Sequence, residues 1–443
     1  MQKLRLSIYF YLILMLFAGL VTGADKAPLT LDAAIQIALQ ENHYLKSRGL
    51  EVKTAAAGQK ASRGDLLPQL DAYAGYLRTS NPMLVIPMKE FGGEPPPVFT
   101  RNHYQAGLSF SLPLYEGGRR WHKVTASDLS KLIAEQQLSF SRQEIIANVT
   151  NTFNQVLSFK ALENAQLKAL NSLKKAQADT QKRLDLGRAA PVEMMKMETQ
   201  VARQEQDLIH TRQAALRARQ GLAVLLGKNP ALLNEPEGQL TTTIPELPAD
   251  DKATLETTIA QRPDIRKTQE EVKLAATEIK LQSGYHLPDI ALIGDYGQRT
   301  GSGLNDNEEV WSAGINVKFN LYAGGQIKAK VTQAEARLEA AQERLAQQKL
   351  TAMAEIVQAE SNIEEAGQRI KMADKTIASA RETYRIEELK YNTGASTITD
   401  SLLAQAAWFE ATALKAEAVY ELEKAIVDYK LACGSIEEGK NND

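Results

Sequence analysis

The chain has 443 residues, a formal net charge of −2 and a hydrophobic fraction of 44%. The near-neutral charge argues against a nucleic-acid partner, and the single cysteine, Cys433, excludes an internal disulfide. Length alone allows two or three domains.

The N-terminus has the organisation of a secretory signal peptide. Lys3 and Arg5 precede an apolar run from Leu6 to Val21, and small residues such as Gly23 follow it. A basic head, a short apolar stretch and a small-residue exit indicate a cleaved leader. The apolar run is 16 residues long, whereas a membrane helix needs about 20. We therefore predict that residues 1–23 are a signal peptide and that the chain is exported.

A short phrase that occurs twice indicates an internal duplication. The pattern Leu-Tyr-x-Gly-Gly starts at Leu114 and again at Leu321, 207 positions later. The same spacing relates Gly187 to Gly394, whereas the Leu-Pro pairs upstream of the phrase are related by a spacing of 220. The first half therefore holds 13 more residues between its Leu-Pro pair and Leu114, and we expect them to lengthen one loop.

The duplication sets the expected domain boundaries. We predict that the first structural repeat covers residues 24–227 and that the second covers 254–434. A Pro-rich linker over 228–253 joins the repeats, and a polar tail occupies 435–443. Each repeat is predicted to form, in order, a helix, a strand, a loop, a strand, a long helix, a turn and a helix.

Two segments in each repeat are predicted to be β-strands. They cover about 69–79 and 103–114 in the first repeat, and about 289–299 and 310–321 in the second. The Pro-rich segment 81–99 separates the first pair and is predicted to be a loop. Strands of about ten residues with one apolar face suit an outer-membrane barrel. A soluble sheet with one face on a core is the alternative, and the strands alone do not decide between them.

A heptad pattern predicts two long coiled-coil helices. Isoleucines recur every seven residues at Ile356, Ile363, Ile370 and Ile377. The glycines that bound the long helices lie 69 positions apart in both repeats, over 118–187 and 325–394, so each helix would be roughly 100 Å long. The helix before the first strand is expected to run from Leu31 to about Gly64. Each long helix would then be flanked by a stacked pair of shorter ones.

Each Leu-Tyr-x-Gly-Gly phrase marks the point where a strand is expected to become a long helix. Two glycines permit the backbone angles that this change needs, and the tyrosine lies where a membrane barrel places its aromatic belt. The residues of these strand-to-helix turns are Tyr115, Gly117, Gly118, Tyr322, Gly324 and Gly325. Four strands cannot close a barrel, because the smallest have about eight. Membrane-spanning strands would therefore require the chain to oligomerise.

On these features the sequence resembles the TolC-like outer-membrane factors of efflux and type I secretion systems. The resemblance covers nearly the whole mature chain. It is carried by the two strand-to-helix turns, the stretch 261–265 (QRPDI) and the turns at 186–200 and 393–405. It implies a homotrimer, in which three chains of four strands supply one 12-stranded membrane β-barrel that continues as a coiled-coil α-helical barrel.

The resemblance also implies a location and partners. The channel would lie in the outer membrane of a Gram-negative-type bacterium and extend into the periplasm. Its partners would be a periplasmic adaptor (membrane fusion) protein, an inner-membrane transporter and outer-membrane lipid. It would export substrates passively, perform no chemistry and need no cofactor. Drug, metal and protein cargo are equally compatible with the sequence.

The turns at the far ends of the long helices are the predicted periplasmic entrance. They lie away from the strands, where the resemblance places the contact with the adaptor. The adaptor-contact tips would include Gly187, Arg188, Pro191, Gly394, Ser396 and Thr397.

Two carboxylates at these tips are candidate gate residues. Glu193 and Asp400 are related by the spacing of 207, and Asp400 follows the potential N-cap Thr397 by three positions. Both acids suit a helix N-terminus. The resemblance adds that Asp400 matches an acid that rings the closed entrance, and the two roles are compatible. Gate arginines common in the family are absent at Ala189 and Ser396.

The sequence indicates no catalytic or metal site. The five histidines are scattered without metal-ligand spacing, and no serine lies in a nucleophile motif. Met194, Met195 and Met197 cluster at the first tip, where packing or adaptor contact is favoured over a soft-metal site. Two alternative classes stay open at this point: a soluble periplasmic coiled-coil scaffold and an exported enzyme on an unusual frame.

Overall fold

The structure is a computed structural model that describes residues 28–86, 98–245, 252–302, 304 and 307–436. The predicted signal peptide and most of the predicted C-terminal tail lie outside the described residues.

Helices dominate the fold, and four strands form one antiparallel sheet, as predicted. The first repeat contains α1 (Leu31–Glu41), α2 (His43–Gly64), β1 (Gln69–Ile86), β2 (Val98–Glu116), α3 (Arg119–Asp185) and α4 (Pro191–Leu225). The second repeat contains α5 (Lys252–Gln261), α6 (Pro263–Ser283), β3 (Asp289–Thr300), β4 (Asn307–Lys318), α7 (Gln326–Asn392) and α8 (Ile398–Ala432). Among the described residues, no helix has an apolar stretch long enough to cross a membrane.

The chain divides into two compact units, and each draws on both repeats. Among the described residues, the helical unit takes in the chain up to Ser47, the part from Phe140 to Arg262 and the part from Thr351 onward. The sheet unit comprises Arg48–Ser139 and Pro263–Leu350.

The sheet unit repeats its own hydrogen-bonding register. Its strands lie in the order β1-β2-β3-β4, and neighbours are antiparallel. Gln69 pairs with Ser111 in the first hairpin, and Asp289 pairs with Lys318 in the second. These two pairs are related by the spacings of 220 and 207 found in the sequence. The two hairpins are therefore structural copies.

The strands of the first hairpin are longer than the sequence indicated. β1 continues to Ile86 and β2 begins at Val98, so parts of the expected loop 81–99 are strand. Within the chain β1 is an edge strand, and an edge tolerates a proline because one side of its backbone needs no partner. Pro82 falls in the register shift between Arg78 and Met83.

The second hairpin ends earlier than expected. β4 stops at Lys318, whereas a strand to about residue 321 was predicted. The equivalent strand β2 continues to Glu116 because its last residues, Tyr115 and Glu116, pair with β3. β4 has no strand on that side within the chain, so its end has no partner to hold it extended.

The long helices match each other in length, and so do the short ones. α3 and α7 have 67 residues each, and α4 and α8 have 35 each. The predicted heptad stripe faces the interior of the helical unit, because Ile356, Ile363 and Ile370 are buried. Around Ile363 and Ile370 the stripe packs against α8 residues such as Leu422.

The helix before the first strand is broken at Asn42, which corrects the expectation of one uninterrupted helix. The Asn42 side chain accepts a hydrogen bond from the Leu45 backbone N–H at 3.0 Å and so caps α2. It also donates to the Leu225 carbonyl oxygen, at the end of α4, at 2.8 Å. The break is therefore tied to another helix terminus.

The second repeat has the same junction with a different side chain. Arg262 lies 220 positions after Asn42, between α5 and α6. Its guanidinium donates to the Ala432 carbonyl oxygen, at the end of α8, at 2.9 Å. It also forms an ion pair with Glu355 at 2.7 Å and is only 4% exposed. In each repeat, therefore, the side chain at the junction donates a hydrogen bond to a carbonyl oxygen at the end of the last helix. In the first repeat the donor is a neutral amide, and in the second it is a buried cation.

Candidate functional site

The tips of the two repeats have the same backbone geometry. Gly187 and Gly394 have φ values of 67° and 77°, in the left-handed region. After each glycine the chain closes the long helix with a reverse hydrogen bond, from Arg188 N–H to the Arg183 carbonyl at 2.7 Å and from Ala395 N–H to the Lys390 carbonyl at 2.8 Å. This is the glycine C-cap motif that ends many helices.

Asp400 is the reciprocal cap of α8. Its carboxylate accepts hydrogen bonds from the Thr397 N–H at 3.1 Å, the Thr397 hydroxyl at 2.6 Å and the Ser396 hydroxyl at 3.2 Å. The Thr397 hydroxyl accepts from the Asp400 N–H at 3.3 Å. The hydrogen bond from the Thr397 side chain, followed by that from its backbone N–H, lowers the pKa of Asp400. Asp400 is therefore an exposed, ionised carboxylate, and the capping interpretation is correct.

Glu193, the equivalent acid of the first repeat, has different partners. Its carboxylate accepts a hydrogen bond from the Tyr391 hydroxyl of the second repeat at 3.0 Å. A longer hydrogen bond of 3.5 Å comes from the Ala190 N–H, and Ala190 has no side-chain acceptor to return. Burial, followed by the hydrogen bond to Glu193, raises the pKa of Tyr391. Glu193 thus joins the two repeats, whereas Asp400 acts within its own turn.

Two further hydrogen bonds join the repeats at the tips. Lys196 donates to the Thr399 hydroxyl at 2.7 Å, and Arg183 donates to the Asn392 side-chain oxygen at 2.7 Å. Sequence reasoning missed these residues. The only signal was that each of the four lies within nine positions of Gly187 or Gly394.

The methionines of the first tip divide between core and surface. Met197 is fully buried in a cluster with Leu170, Leu173 and Ile398, whereas Met195 is 63% exposed. Packing therefore accounts for Met197. In the part of the chain that the structure describes, no group of three or more His, Cys, Asp or Glu side chains could hold a metal ion.

At the first strand-to-helix turn the glycines pack tightly inside the sheet unit. Gly117 and Gly118 have φ values of 62° and 76°. A Cβ on Gly117 would collide with the Gly284 carbonyl oxygen. Arg119 forms an ion pair with Asp289, and its guanidinium lies 4.1 Å from the centre of the Tyr285 ring.

The second strand-to-helix turn has the same conformation without these contacts. Gly324 and Gly325 have φ values of 59° and 80°. A Cβ added to either glycine would meet no described atom within 4 Å, and Tyr322 is 87% exposed. The adjoining strand β4 also exposes Trp311, Ile315 and Val317, each by more than 60%.

These features define a class of protein. Two copies of a set of long helices, joined to an antiparallel sheet with exposed apolar side chains, match solved outer-membrane channels. The chain belongs to the Outer membrane efflux protein family, whose pattern matches residues 34–228 and 254–435. It is a TolC-like outer-membrane efflux or secretion channel with a periplasmic extension, and not an enzyme.

Individual proteins of known function or structure are similar to this chain over most of its length. The Proteases secretion protein PrtF of Dickeya chrysanthemi is 20% identical over 94% of this chain and 91% of its own length. The Outer membrane protein TolC of Vibrio cholerae is 22% identical over 85% of this chain and 84% of its own. The crystal structure of the Campylobacter jejuni CmeC outer membrane channel superposes with a TM-score of 0.80 at 20% identity, over 93% of this chain and 87% of that one.

Proposed function

We propose that three copies of this chain form one exit duct, which passively carries substrates from a periplasm-spanning pump to the exterior. The observation that supports this most strongly is the unequal environment of the two strand-to-helix turns. One turn is packed by its own chain, and its structural copy is exposed. A second copy of the chain supplies the missing neighbour if it repeats across the interface what β2 and β3 do within the chain.

The duplication specifies that interface residue by residue. Leu108 of β2 pairs with Tyr296 of β3. Moving Leu108 forward by 207 gives Ile315 of β4, and moving Tyr296 back by 220 gives Tyr76 of β1. We therefore expect Ile315 of one chain to lie opposite Tyr76 of the next. The same mapping brings Gly324 against Gly64, as Gly117 lies against Gly284 within the chain.

The number of copies follows from the strand count and the family. Two chains of four strands give eight strands and three give twelve, and both numbers are allowed for membrane barrels. The resemblance to TolC-like channels favours three. β4–β1 pairing between copies would also cover the exposed edges of the sheet, which otherwise invite uncontrolled association.

Disulfide trapping tests the interface. In a Cys433→Ser background, the pair Ile315→Cys with Tyr76→Cys should form a covalent trimer on mild oxidation. The control pair, Ile315→Cys with Leu77→Cys, shifts one residue and turns the second thiol to the opposite face of the sheet. Equal cross-linking of both pairs, or no cross-linking of the first in a membrane preparation, would refute this register.

We propose that the tips are the periplasmic entrance and that Glu193 and Asp400 contribute to its gate. The support is that Asp400 is exposed and held ionised, while Glu193 fastens one repeat to the other. In a trimer these carboxylates would recur around one axis and favour cations.

Single-channel recording tests the gate. Asp400→Asn keeps a hydrogen-bond acceptor but removes the charge, and it should lower cation selectivity. Glu193→Gln should raise leak conductance, because it weakens the bond to Tyr391. Glu339→Gln, an exposed change on α7 far from the tips in sequence, is the control. If both tip variants have the cation selectivity and leak conductance of the unmodified channel, Glu193 and Asp400 do not contribute to a gate.

The partners proposed for the tips are a periplasmic adaptor and, through it, an inner-membrane transporter. The support is the pair of glycine-capped turns, which leave Arg188 and Thr397 exposed. A photo-cross-linking residue at Arg188 should capture the adaptor in living cells, whereas one at Lys53 of α2 should not. Capture of the adaptor from both positions, or from neither, would contradict the assignment.

A further inference from the structure

The helical unit contains a cavity that neither the tips nor the sheet explains. Its volume is about 630 Å³, and α3, α4 and α8 line it. Small-molecule sites have volumes of about 300–1,000 Å³. All the lining residues belong to the helical unit of one chain, so the cavity exists without assembly.

Small side chains in the first repeat create the space. Ala161 and Ala165 of α3 line the cavity, and the equivalent residues of α7, 207 positions on, are Gln368 and Met372. α3 and α7 have the same length, so the helix itself accepts the larger side chains. The fold therefore does not require alanine at these two positions, and the small side chains are specific to the cavity.

One wall of the cavity is aromatic. Trp408 and Phe409 of α8 line it, with ring centres 5.3 Å apart. Trp408 also stacks on Tyr384 at 5.7 Å. The residues of α4 equivalent to Trp408 and Phe409 are Val201 and Ala202. Aromatic faces attract other rings and cations, and this wall occurs in one repeat only.

One glutamine at the cavity, Gln204, lacks a hydrogen-bond partner among the described residues. Gln204 is only 8% exposed and lines the cavity, and no hydrogen bond to its amide is found among the described residues. Gln166 also belongs to the cavity lining, but its side-chain oxygen is buried beneath the cavity surface. The Gln204 amide is therefore free to exchange hydrogen bonds with a bound molecule.

The charge at the cavity favours a cation. Asp207 and Glu410 line it and are exposed. Neither carboxylate forms an ion pair within the described part of the chain. Lys168 also lines the cavity and forms no ion pair with either acid. Two carboxylates against one ammonium leave the site with a net negative charge.

We propose that this cavity binds a small organic cation with an aromatic body and N–H donors. The aromatic wall stacks on the guest, the Gln204 amide accepts its hydrogen bonds, and the two carboxylates attract its charge. The site lies outside the β4–β1 interface, because one helical unit contains all of it. Its lining residues do not include the proposed gate residues Glu193 and Asp400.

Binding of ethidium tests the charge and the aromatic wall. Ethidium is an aromatic cation with two amino groups, and its fluorescence anisotropy should saturate at one molecule per chain of the full-length protein in detergent. Uncharged phenanthridine and anionic anilinonaphthalene sulfonate should bind about fivefold more weakly or worse. Equal affinity for all three probes, or no saturable binding of ethidium, would overturn the proposal.

Filling the cavity tests its position. Ala165→Met introduces the side chain found at Met372 and should weaken ethidium binding about tenfold or more, because it occupies the space. Ala178→Met, an exposed change on the same helix, is the matched control and should bind as the unmodified protein does. Circular dichroism checks that both variants are folded. If they then bind ethidium with similar affinity, ethidium binds outside this cavity.

Neutralising the rim tests the electrostatic part. Asp207→Asn with Glu410→Gln should weaken ethidium binding about fivefold and leave phenanthridine binding unchanged. Glu198→Gln, an exposed change on α4 outside the cavity, is the control. Equal losses for both probes would contradict the role of charge. β4–β1 disulfide trapping in the same variants reports assembly separately.

Discussion

At the first strand-to-helix turn Gly117 is buried against Gly284, whereas at the second turn a Cβ added to Gly324 would meet no described atom within 4 Å. The φ values of the two glycines are nevertheless 62° and 59°. The conformation of the turn is therefore set locally, by residues that can adopt left-handed angles. The contacts of the turn depend on the neighbouring segment, and one of the two turns lacks that segment within its own chain.

Among substitutions at the two turns, we expect the largest loss of stability from Gly117→Ala. A side chain there would be strained at a positive φ and would collide with the backbone of Gly284, at a cost of about 3 kcal/mol. Gly324→Ala should cost about 1 kcal/mol in an isolated chain, because only the backbone strain applies. Thermal melting of monomers and of assembled protein separates the two variants.

The yield of the assembled form tests the second turn further. If β4 pairs with β1 of another copy, Gly324→Ala should reduce the yield of the assembled form nearly as much as Gly117→Ala does. An assembled form that tolerates Gly324→Ala fully would show that this turn stays open, and the proposed interface would be wrong.

The next largest difference should appear at the two helix junctions. Arg262→Ala removes a buried guanidinium that bonds Ala432 and Glu355, and it should destabilise the helical unit by about 2–4 kcal/mol. Asn42→Ala removes a cap and one bond to Leu225 and should cost about 1–2 kcal/mol. Urea melts followed by circular dichroism measure both.

A matched control distinguishes charge from geometry at the second junction. Arg262→Lys keeps the positive charge but loses the planar fork of donors. It should recover only part of the loss. Full recovery would mean that the charge alone holds the junction.

The capping difference at the tips should give a smaller effect. Thr397→Ala removes the hydroxyl that caps α8 and should cost about 1 kcal/mol. Ala190→Ser adds a cap to α4, where Glu193 already stands at the third position, and should stabilise that turn by about 0.5–1 kcal/mol. Local hydrogen exchange of the first turns of α4 and α8 is the measurement. Opposite signs in the two repeats are expected, and equal signs would contradict the capping account.

The smallest predicted effect is a pH dependence at the second tip. The pKa of Asp400 in the folded chain is lowered, chiefly by its hydrogen bonds from Thr397. A lowered pKa contributes stability above the ordinary carboxyl pKa, and this stability is lost as the pH falls through the folded-state value. Amides at the start of α8 should therefore exchange faster, relative to intrinsic rates, in acid. In Thr397→Ala this acid sensitivity should shrink, because the main cause of the shift is gone.

The duplication, the type of almost every element and the positions of the glycine turns could all be predicted from the order of the residues. Those features are local: heptad spacing specifies a helix face, alternation specifies a strand, and Gly187 or Gly394 ends a helix wherever its neighbours lie. The spacings of 207 and 220 also relate the registers of the two hairpins, because the hairpins are copies.

The contacts between side chains that are far apart in the chain could not be predicted in this way. Glu193 and Tyr391 are 198 positions apart, and no local pattern relates them. The break at Asn42 depends on a carbonyl of another helix, at Leu225. The cavity exists because helices from both repeats surround the same alanines of α3. A sequence specifies each element through its neighbours along the chain, whereas these contacts form only once packing has brought distant elements together.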